Sequence, residues 1–290
     1  MKTETVIALR PRYGLRALLK AVQLPRSTFY DRIHRNHKPD KYKDVKAFIN
    51  QNFHRSYDTY GYRRIHKLAF MSGFPYCEET IRKLMTKLGL KSGVYSRHTA
   101  KYSSYRGRVG KTAPNLLNQH FDAKDPLTTM HTDITQVRLA TSRWAYISTV
   151  TDEASGAVLS EDASLSPTLM LVHNTIAAVN DNWNVPKGAI MHSDQGWQYQ
   201  MPSYRDDLEK FGITQSMSRK GNCHDNAPIE SFFSLLKREY LNRGALSSMT
   251  SLKQLQEGLA KYVAWYNNER ISMNKDGMTP VEYITGHSGI

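Results

Sequence analysis

Residues 218–233 read SRKGNCHDNAPIESFF, a polar loop that turns abruptly into a helix. Pro228 suits the first turn of that helix, because its missing N–H would find no partner there in any case. Asn226 comes just before it and is expected to cap the helix. Glu230 falls in the first turn, where the exposed N–H groups and the helix dipole favour a carboxylate. The stretch therefore fixes one acidic side chain at the start of an apolar helix, beside a loop able to approach a polyanion.

Two aspartates upstream lie in strand-like runs, Asp133 in MHTDITQV and Asp194 at the end of AIMHSD, and 35 residues (230 − 194 − 1) separate Asp194 from Glu230. Acids at strand and helix ends can converge in a fold, and converging carboxylates repel unless cations lie among them. Hard divalent ions such as Mg²⁺ take oxygen ligands of this kind. From the residues alone, Asp152 at a neighbouring strand end is nearly as good a candidate as Asp133.

Three motifs make the chain recognisable, namely HSDQG at 192–196, GNCHDNA at 221–227 and YNNER at 266–270. With the spacing of the three acids, they resemble the OrfB-type DDE transposases of insertion-sequence family three. The catalytic core of that family is like that of retroviral integrases. The resemblance runs from about residue 10 to 286, which is almost the whole chain.

The resemblance implies an α/β ribonuclease-H-like (integrase-type) catalytic domain preceded by small all-α helix-turn-helix DNA-binding units. It implies that Asp133, Asp194 and Glu230 are the catalytic residues and the ligands of two Mg²⁺ ions, for which Mn²⁺ can substitute. The expected reaction is metal-dependent DNA cleavage followed by strand transfer, in which a freed 3′-OH attacks another phosphodiester. No covalent enzyme–DNA intermediate is expected, so no Ser or Tyr nucleophile is assigned.

The order of helical and strand-like patterns divides the chain into four segments. We expect a helix-turn-helix at 10–36, a second small helical DNA-binding domain at 41–90 and a basic linker at 91–120. From there three strand-like runs are followed by alternating helices and strands, the order of a ribonuclease-H-like domain, which we place at 121–286. On pattern alone, an ordinary helical hairpin fits 10–36 equally well.

Positive charge is concentrated in the first 120 residues, which contain 25 Lys and Arg against 7 Asp and Glu, whereas residues 121–290 contain 15 and 19. So uneven a distribution favours a polyanionic partner, because neutralised phosphates release counterions. We therefore expect double-stranded DNA as the partner, both as transposon terminal repeats and as target. The candidate DNA-binding residues are Lys237, Arg219, Lys220, Asn222, Arg26, Arg32, Arg63, Arg64, Arg82, Lys83, Arg106 and Arg108.

Composition narrows the setting in which the protein works. It has two cysteines without metal-binding spacing and no long apolar run, which indicates a reduced protein without structural zinc or a membrane partner. We expect a cytoplasmic, nucleoid-associated bacterial protein. Action on two DNA ends implies a homo-oligomer on DNA, and the family's upstream-frame OrfA product, separate or fused, is a further candidate partner.

Two other functions fit parts of the pattern. A non-catalytic repressor or accessory factor would bind the ends without cutting, and a ribonuclease-H-like nuclease would degrade RNA–DNA hybrids. The intact acidic triad argues against the first, and the basic helix-turn-helix half argues against the second. The sequence leaves open the roles of Trp197 and of Met130 and His131, where the family commonly has Trp and a small apolar residue.

Overall fold

The structure, a computed structural model, describes residues 2–37, 39–93, 111–219 and 222–287, without the side chains of 35–37 and 223. The chain forms two compact units, residues 1–48 and 49–290. None of the helices in the described ranges is both long enough and apolar enough to cross a membrane.

The smaller unit contains three helices: α1 at Lys2–Leu9, α2 at Leu15–Ala21 and α3 at Arg26–His37. Helices α2 and α3 confirm the helix, turn and helix predicted there. Helix α1 lies ahead of the segment expected at 10–36 and was not predicted. Its Val6 is fully buried with Leu19, Leu24 and Phe29. Because α1 buries so few residues, its sequence shows no helical repeat of apolar positions from which it could have been predicted.

Three more helices follow: α4 at Lys43–Arg55, which spans the division between the units, α5 at Tyr62–Met71 and α6 at Glu78–Lys87. Residues after the division pack on the C-terminal part of the chain. The ring of Tyr57 meets that of Trp265 edge-on with centroids 4.9 Å apart, and the Tyr60 hydroxyl accepts a hydrogen bond from the Ile271 N–H at 2.9 Å. The segment expected as a separate second domain therefore belongs largely to the larger unit.

Five strands form one sheet: β1 at Thr129–Arg138, β2 at Trp144–Asp152, β3 at Val158–Ser164, β4 at Ile190–Ser193 and β5 at Thr214–Met217. Their order is β3-β2-β1-β4-β5; β1 to β3 are antiparallel, and β4 runs parallel to both β1 and β5. Parallel neighbours need crossovers, and α7 at Leu169–Asn182 and α8 at Pro202–Lys210 supply them. The predicted ribonuclease-H-like arrangement is confirmed.

Helices cover both faces of the sheet. Helices α7 and α8 enclose the core on one face, where Met130, Val150 and Ile176 are fully buried. On the other face lie α9 at Ala227–Glu239 and α11 at Leu252–Asn268, with the short helices α10 at Ala245–Ser248 and α12 at Pro280–His287 completing the unit. Side chains alternate along a strand, so Asp133 shares the α9 face with Thr135, which accepts a hydrogen bond from α9.

Candidate active site

Asp133 lies in the middle of β1, the central strand of the sheet. It is paired across the antiparallel ladder with Thr149, and its Oδ1 accepts a hydrogen bond from the backbone N–H of Ile134 at 2.7 Å. Burial raises the pKa of Asp133 well above its usual range, and the negative charges of Asp194 and Glu230 raise it further. Asp194 and Glu230 are therefore close enough to oppose the ionisation of Asp133.

Asp194 follows β4, the strand that pairs in parallel with β1. Its Oδ1 accepts a hydrogen bond from the N–H of Gly196 at 2.7 Å, and burial raises its pKa. A Cβ atom at Gly196 would lie 2.9 Å from that same oxygen, so a larger residue there would push on the Asp194 carboxylate. Asp133 and Asp194 line one cleft of about 320 Å³, together with Trp197 and Tyr199.

Glu230 lies in the first turn of α9, and Pro228 lies in that turn as well, as the sequence predicts. Burial raises the pKa of Glu230; His224 acts in the opposite direction, and the charge of Asp194 adds to the rise. The helix start thus brings the third acid within electrostatic range of Asp133 and Asp194.

Asn226 occupies the N-cap position of α9, as predicted, but its side chain makes no capping hydrogen bond. A 3₁₀ turn at Cys223–Asn226 precedes the helix and directs this amide to β1, where it lies 3.3 Å from Nδ1 of His131. The other ring nitrogen of His131 is 2.7 Å from Glu153 Oε2. The role of His131 that the sequence left open is thus to join β1 to the loop and to the end of β2.

His192 lies beside His131, with ring centroids 5.5 Å apart. Its Nδ1 is 2.8 Å from the Ser216 hydroxyl. Burial, with the nearby His131, lowers the pKa of His192 to about 4. A neutral imidazole held in this way supports the floor of the site, which agrees with leaving both histidines out of the catalytic set.

Lys237 follows Glu230 by two helical turns on α9. Its Nζ donates a hydrogen bond to the Thr135 hydroxyl at 2.6 Å. Burial lowers the pKa of Lys237, and the negative charge of Asp133 opposes that effect. The ammonium group therefore lies beside the first acid, as expected from its spacing.

Asp152, the alternative to Asp133 as the first acid of the site, has a structural role. Its Oδ1 accepts a hydrogen bond from the Leu127 N–H at 2.7 Å, and its Oδ2 accepts from the N–H and hydroxyl of Ser155 at 2.8 and 2.5 Å. Burial raises the pKa of Asp152, and these donors act against the rise. It holds the turn after β2 and does not line the cleft.

The loop before α9 is ordered around Asp225. Its carboxylate accepts hydrogen bonds from the backbone and guanidinium of Arg219 at 2.8–2.9 Å, and from the Asn222 amide at 3.0 Å. The hydrogen bonds from Arg219 hold the pKa of Asp225 well below its usual range, against the effect of burial. Arg219 and Asn222, predicted as DNA contacts, thus also build the loop.

The remaining predicted DNA contacts are scattered. In the smaller unit, Arg26 lies 5.7 Å from the ring centroid of Tyr30, and Arg32 donates weakly to the Thr3 hydroxyl at 3.5 Å. Lys220, Arg106 and Arg108 lie outside the described residues.

In the larger unit, Arg63 is exposed, while Arg82 and Lys83 are exposed and ion-paired with Glu79. Arg64 lies 5.2 Å from the ring centroid of Tyr60, and burial lowers its pKa. It is partly exposed, and therefore less accessible than Arg63, Arg82 and Lys83.

Comparison with known proteins shows which family this chain belongs to. Residues 123–223 and 211–280 match two models described as integrase core domain, and residues 39–98 match an HTH-like domain. The chain is 39% identical over 275 residues to the putative transposase InsK for insertion sequence element IS150 of Escherichia coli (strain K12), covering 95% of each. It is 34% identical over 282 residues to the probable transposase for insertion sequence element IS1353 of Shigella flexneri, covering 97% of this chain and 54% of that one.

Among solved structures, the HTLV-2 integrase catalytic core domain in complex with magnesium aligns at 16% identity with a TM-score of 0.45, over 55% of this chain and 97% of that one. An integrase core joined to an HTH-like domain defines a polynucleotidyl transferase that acts on DNA. The chain belongs to the family of insertion-sequence transposases that includes the IS150 and IS3 proteins. The transposase function predicted from its motifs is confirmed, and its integrase core implies the use of a divalent metal.

The acids of the cleft suit such an ion by their chemistry. In the described part of the chain, no three His, Cys, Asp or Glu side chains are close enough together to hold one ion as a ready-made group. The charges of Asp194 and Glu230 nevertheless raise the pKa of Asp133, and the charge of Asp194 raises that of Glu230. For both aspartates the hydrogen bond found among the described residues is to Oδ1, so Oδ2 is available. Oxygen donors whose charges repel one another are what a hard divalent cation stabilises.

Proposed function

We propose that this transposase cleaves DNA at the terminal repeats of its element and joins the freed 3′ ends to target DNA, using Asp133, Asp194 and Glu230. The observation that carries the proposal is that Asp133 and Asp194 line one cleft, with Glu230 near enough for its charge to raise the pKa of Asp133. Two Mg²⁺ ions, or Mn²⁺ in their place, are the proposed occupants of the acidic cleft, meaning the cleft lined by Asp133 and Asp194 with Glu230 in electrostatic range.

The protein groups have separate tasks in this reaction. When bound, the ions would activate the attacking oxygen and stabilise the leaving 3′ oxygen of an in-line displacement. Asp133 and Asp194 present oxygens from two adjacent strands, each held by a backbone N–H on Oδ1. Glu230 presents its carboxylate from the first turn of α9, and Lys237 beside Asp133 is placed to hold a DNA phosphate.

DNA contacts are proposed for Lys237, Arg219, Lys220, Asn222, Arg26, Arg32, Arg63, Arg64, Arg82, Lys83, Arg106 and Arg108. The proposed organisation keeps DNA-binding helices at 10–36 and 41–90, a basic linker at 91–120 and the catalytic domain at 121–286. We also propose that two or more copies act together on the two ends, with an OrfA product as partner or fused segment. The match to the Shigella flexneri relative covers only 54% of that protein, which supports the proposal of an additional fused segment.

The test is cleavage of the element's terminal repeats with Mg²⁺ by Asp133→Asn, Asp194→Asn and Glu230→Gln, alongside end binding with and without the ion. Each variant should lose at least about 10³-fold in cleavage rate, since several kcal/mol of transition-state stabilisation depend on the metal. End binding should persist in all three.

The matched control is Glu161→Gln, an acid on β3 that directly faces Thr149, the partner of Asp133 in the sheet. It is outside the acidic cleft, so the control should cleave at the wild-type rate. Full activity in any one of the three triad variants would refute the assignment. Binding without cleavage by the wild type, with and without added OrfA product, would favour a non-catalytic accessory factor.

A further inference from the structure

Tyr199 lies five residues after Asp194, in a 3₁₀ turn at Trp197–Gln200. Its carbonyl accepts a hydrogen bond from the Gln215 side chain at 2.7 Å. Its ring meets that of Tyr204 edge-on, with centroids 5.3 Å apart. The side chain is 1% exposed and lines the acidic cleft with both aspartates. The turn thus holds a phenol rigidly against the site.

The hydroxyl of Tyr199 is buried and, among the described residues, has no hydrogen-bond partner. The same is true of Tyr204 and Thr132. A buried hydroxyl without a partner lowers stability, because it has given up its hydrogen bonds to water. Phe at position 199 would avoid that cost, so the oxygen needs another explanation.

The two aspartates that line the cleft with Tyr199 also act on its hydroxyl. Burial raises the pKa of Tyr199 well above its usual range, and the negative charges of Asp133 and Asp194 raise it further, whereas the adjacent Thr132 hydroxyl lowers it. The phenol therefore stays protonated and remains a hydrogen-bond donor beside the two acids. For Tyr204, by contrast, the charge that adds to burial is that of Asp207, away from the site.

We propose that Tyr199 is a positioning residue for the transposase reaction, whose hydroxyl donates a hydrogen bond to the Asp133–Asp194 carboxylates when both are ionised around the metal. The proposal rests on the function proposed above. A carboxylate that binds a metal through one oxygen is oriented by donors to its remaining lone pairs. Thr132 can in turn donate to the phenol oxygen, so that the two unpaired hydroxyls form a short chain ending at the acids.

The test compares Tyr199→Phe with Tyr204→Phe, a matched control that removes the same atom from the adjoining ring. Neither change creates a cavity, so without metal both variants should have a denaturant midpoint close to that of the wild type. In the full chain, the Mg²⁺ concentration that gives half of the metal-induced rise in Tm should increase about tenfold for Tyr199→Phe and stay unchanged for Tyr204→Phe. At saturating Mg²⁺, kcat for end cleavage should fall about tenfold for Tyr199→Phe, with KM for DNA unchanged.

The outcomes separate the two proposals. If Tyr199→Phe and Tyr204→Phe show the same Mg²⁺ midpoint and the same kcat, the positioning role of Tyr199 is overturned. The proposed roles of the three acids are unaffected by that result. A fall in stability of Tyr199→Phe in the absence of metal would also overturn it, because the hydroxyl would then be structural. A wild type that shows neither a Mg²⁺-induced rise in Tm nor cleavage would refute the proposed function itself, and the inference with it.

Discussion

Two regions of the larger unit bury ionisable groups, and they do so in opposite ways. At the C-terminal end of α9, Arg270 donates two hydrogen bonds to Glu239, both at 2.8 Å, and Tyr262 donates a third at 3.2 Å. Burial acts against the charge of Arg270, but the hydrogen bonds to Glu239 outweigh it and the pKa is raised. We call Glu239, Arg270 and Tyr262 the hub.

The acidic cleft lies near the other end of the same helix. Its acids have raised pKa values because burial and, at Asp133 and Glu230, negative neighbours oppose ionisation. The hub pairs its charges inside the protein, whereas the cleft holds like charges together. The difference indicates that the hub serves stability and orientation, and that the cleft is complete only with a ligand.

The hub also links α9 to the helices after the division of the chain. Tyr60 accepts a hydrogen bond from the residue after Arg270, and Arg64 lies over the Tyr60 ring. Arg55 and Glu269 form an exposed ion pair at 2.6 Å across the same junction. The helix that carries Glu230 is thus fixed at its far end to the segment at 49–90.

The largest effect should follow from breaking the hub. Glu239→Gln leaves Arg270 buried without its counter-charge, and the free energy of unfolding should fall by about 3–5 kcal/mol. Chemical denaturation of the full chain measures it.

The junction offers a control. Arg55→Ala removes an exposed pair and should cost less than about 1 kcal/mol. Replacing Glu239 and Arg270 together by Met should restore much of the loss, since no charge is left unpaired. If Glu239→Gln and Arg55→Ala lose the same free energy of unfolding, the buried hub contributes no more to stability than the exposed ion pair.

Removing a charge from the acidic cleft should raise the free energy of unfolding, whereas removing one from the hub lowers it. Asp133→Asn removes a charge that burial and two acids oppose, so the metal-free protein should gain about 1–2 kcal/mol in stability near pH 8 while cleavage is lost. Asp152→Asn is the contrasting variant, because Asp152 accepts three hydrogen bonds that hold a turn, and it should lose stability. A destabilised Asp133→Asn in the same denaturation experiment would mean that the cleft is as well satisfied as the hub.

The smallest effect concerns Glu161, whose pKa burial raises to about 7, with Asp162 adding to the rise. Between its unfolded value of 4.5 and about 7, the folded protein holds the proton more tightly than the unfolded one. Stability therefore falls as pH rises through this window. The full shift would correspond to about 3 kcal/mol, and partial exposure should reduce it to about 1 kcal/mol. Glu161→Gln should flatten stability between pH 5 and 8 by that amount; an unchanged pH profile would show that its environment is polar.

Local patterns in the sequence predicted much of the site. The strand around Asp133 and the start of α9 with Pro228 and Glu230 are confirmed. Each depends on periods of two or 3.6 residues, which neighbouring residues fix among themselves.

Contacts between distant residues were the ones that sequence reasoning missed. Asn226 reads as a cap, yet its amide meets His131, 95 positions away in the chain. The YNNER motif showed that residues 266–270 matter without showing that Arg270 pairs with Glu239.

The amino-acid order alone indicated most of the secondary structure and, through its motifs, the transposase family, because periodicity, turn chemistry and motif spacing are local properties. Only the tertiary structure decided which buried groups are paired and which are left in opposition, as it separated Asp152 from Asp133 and set Tyr199 beside the cleft. Burial and the approach of charges depend on how the sheet and α9 pack, and no stretch of sequence contains that information by itself.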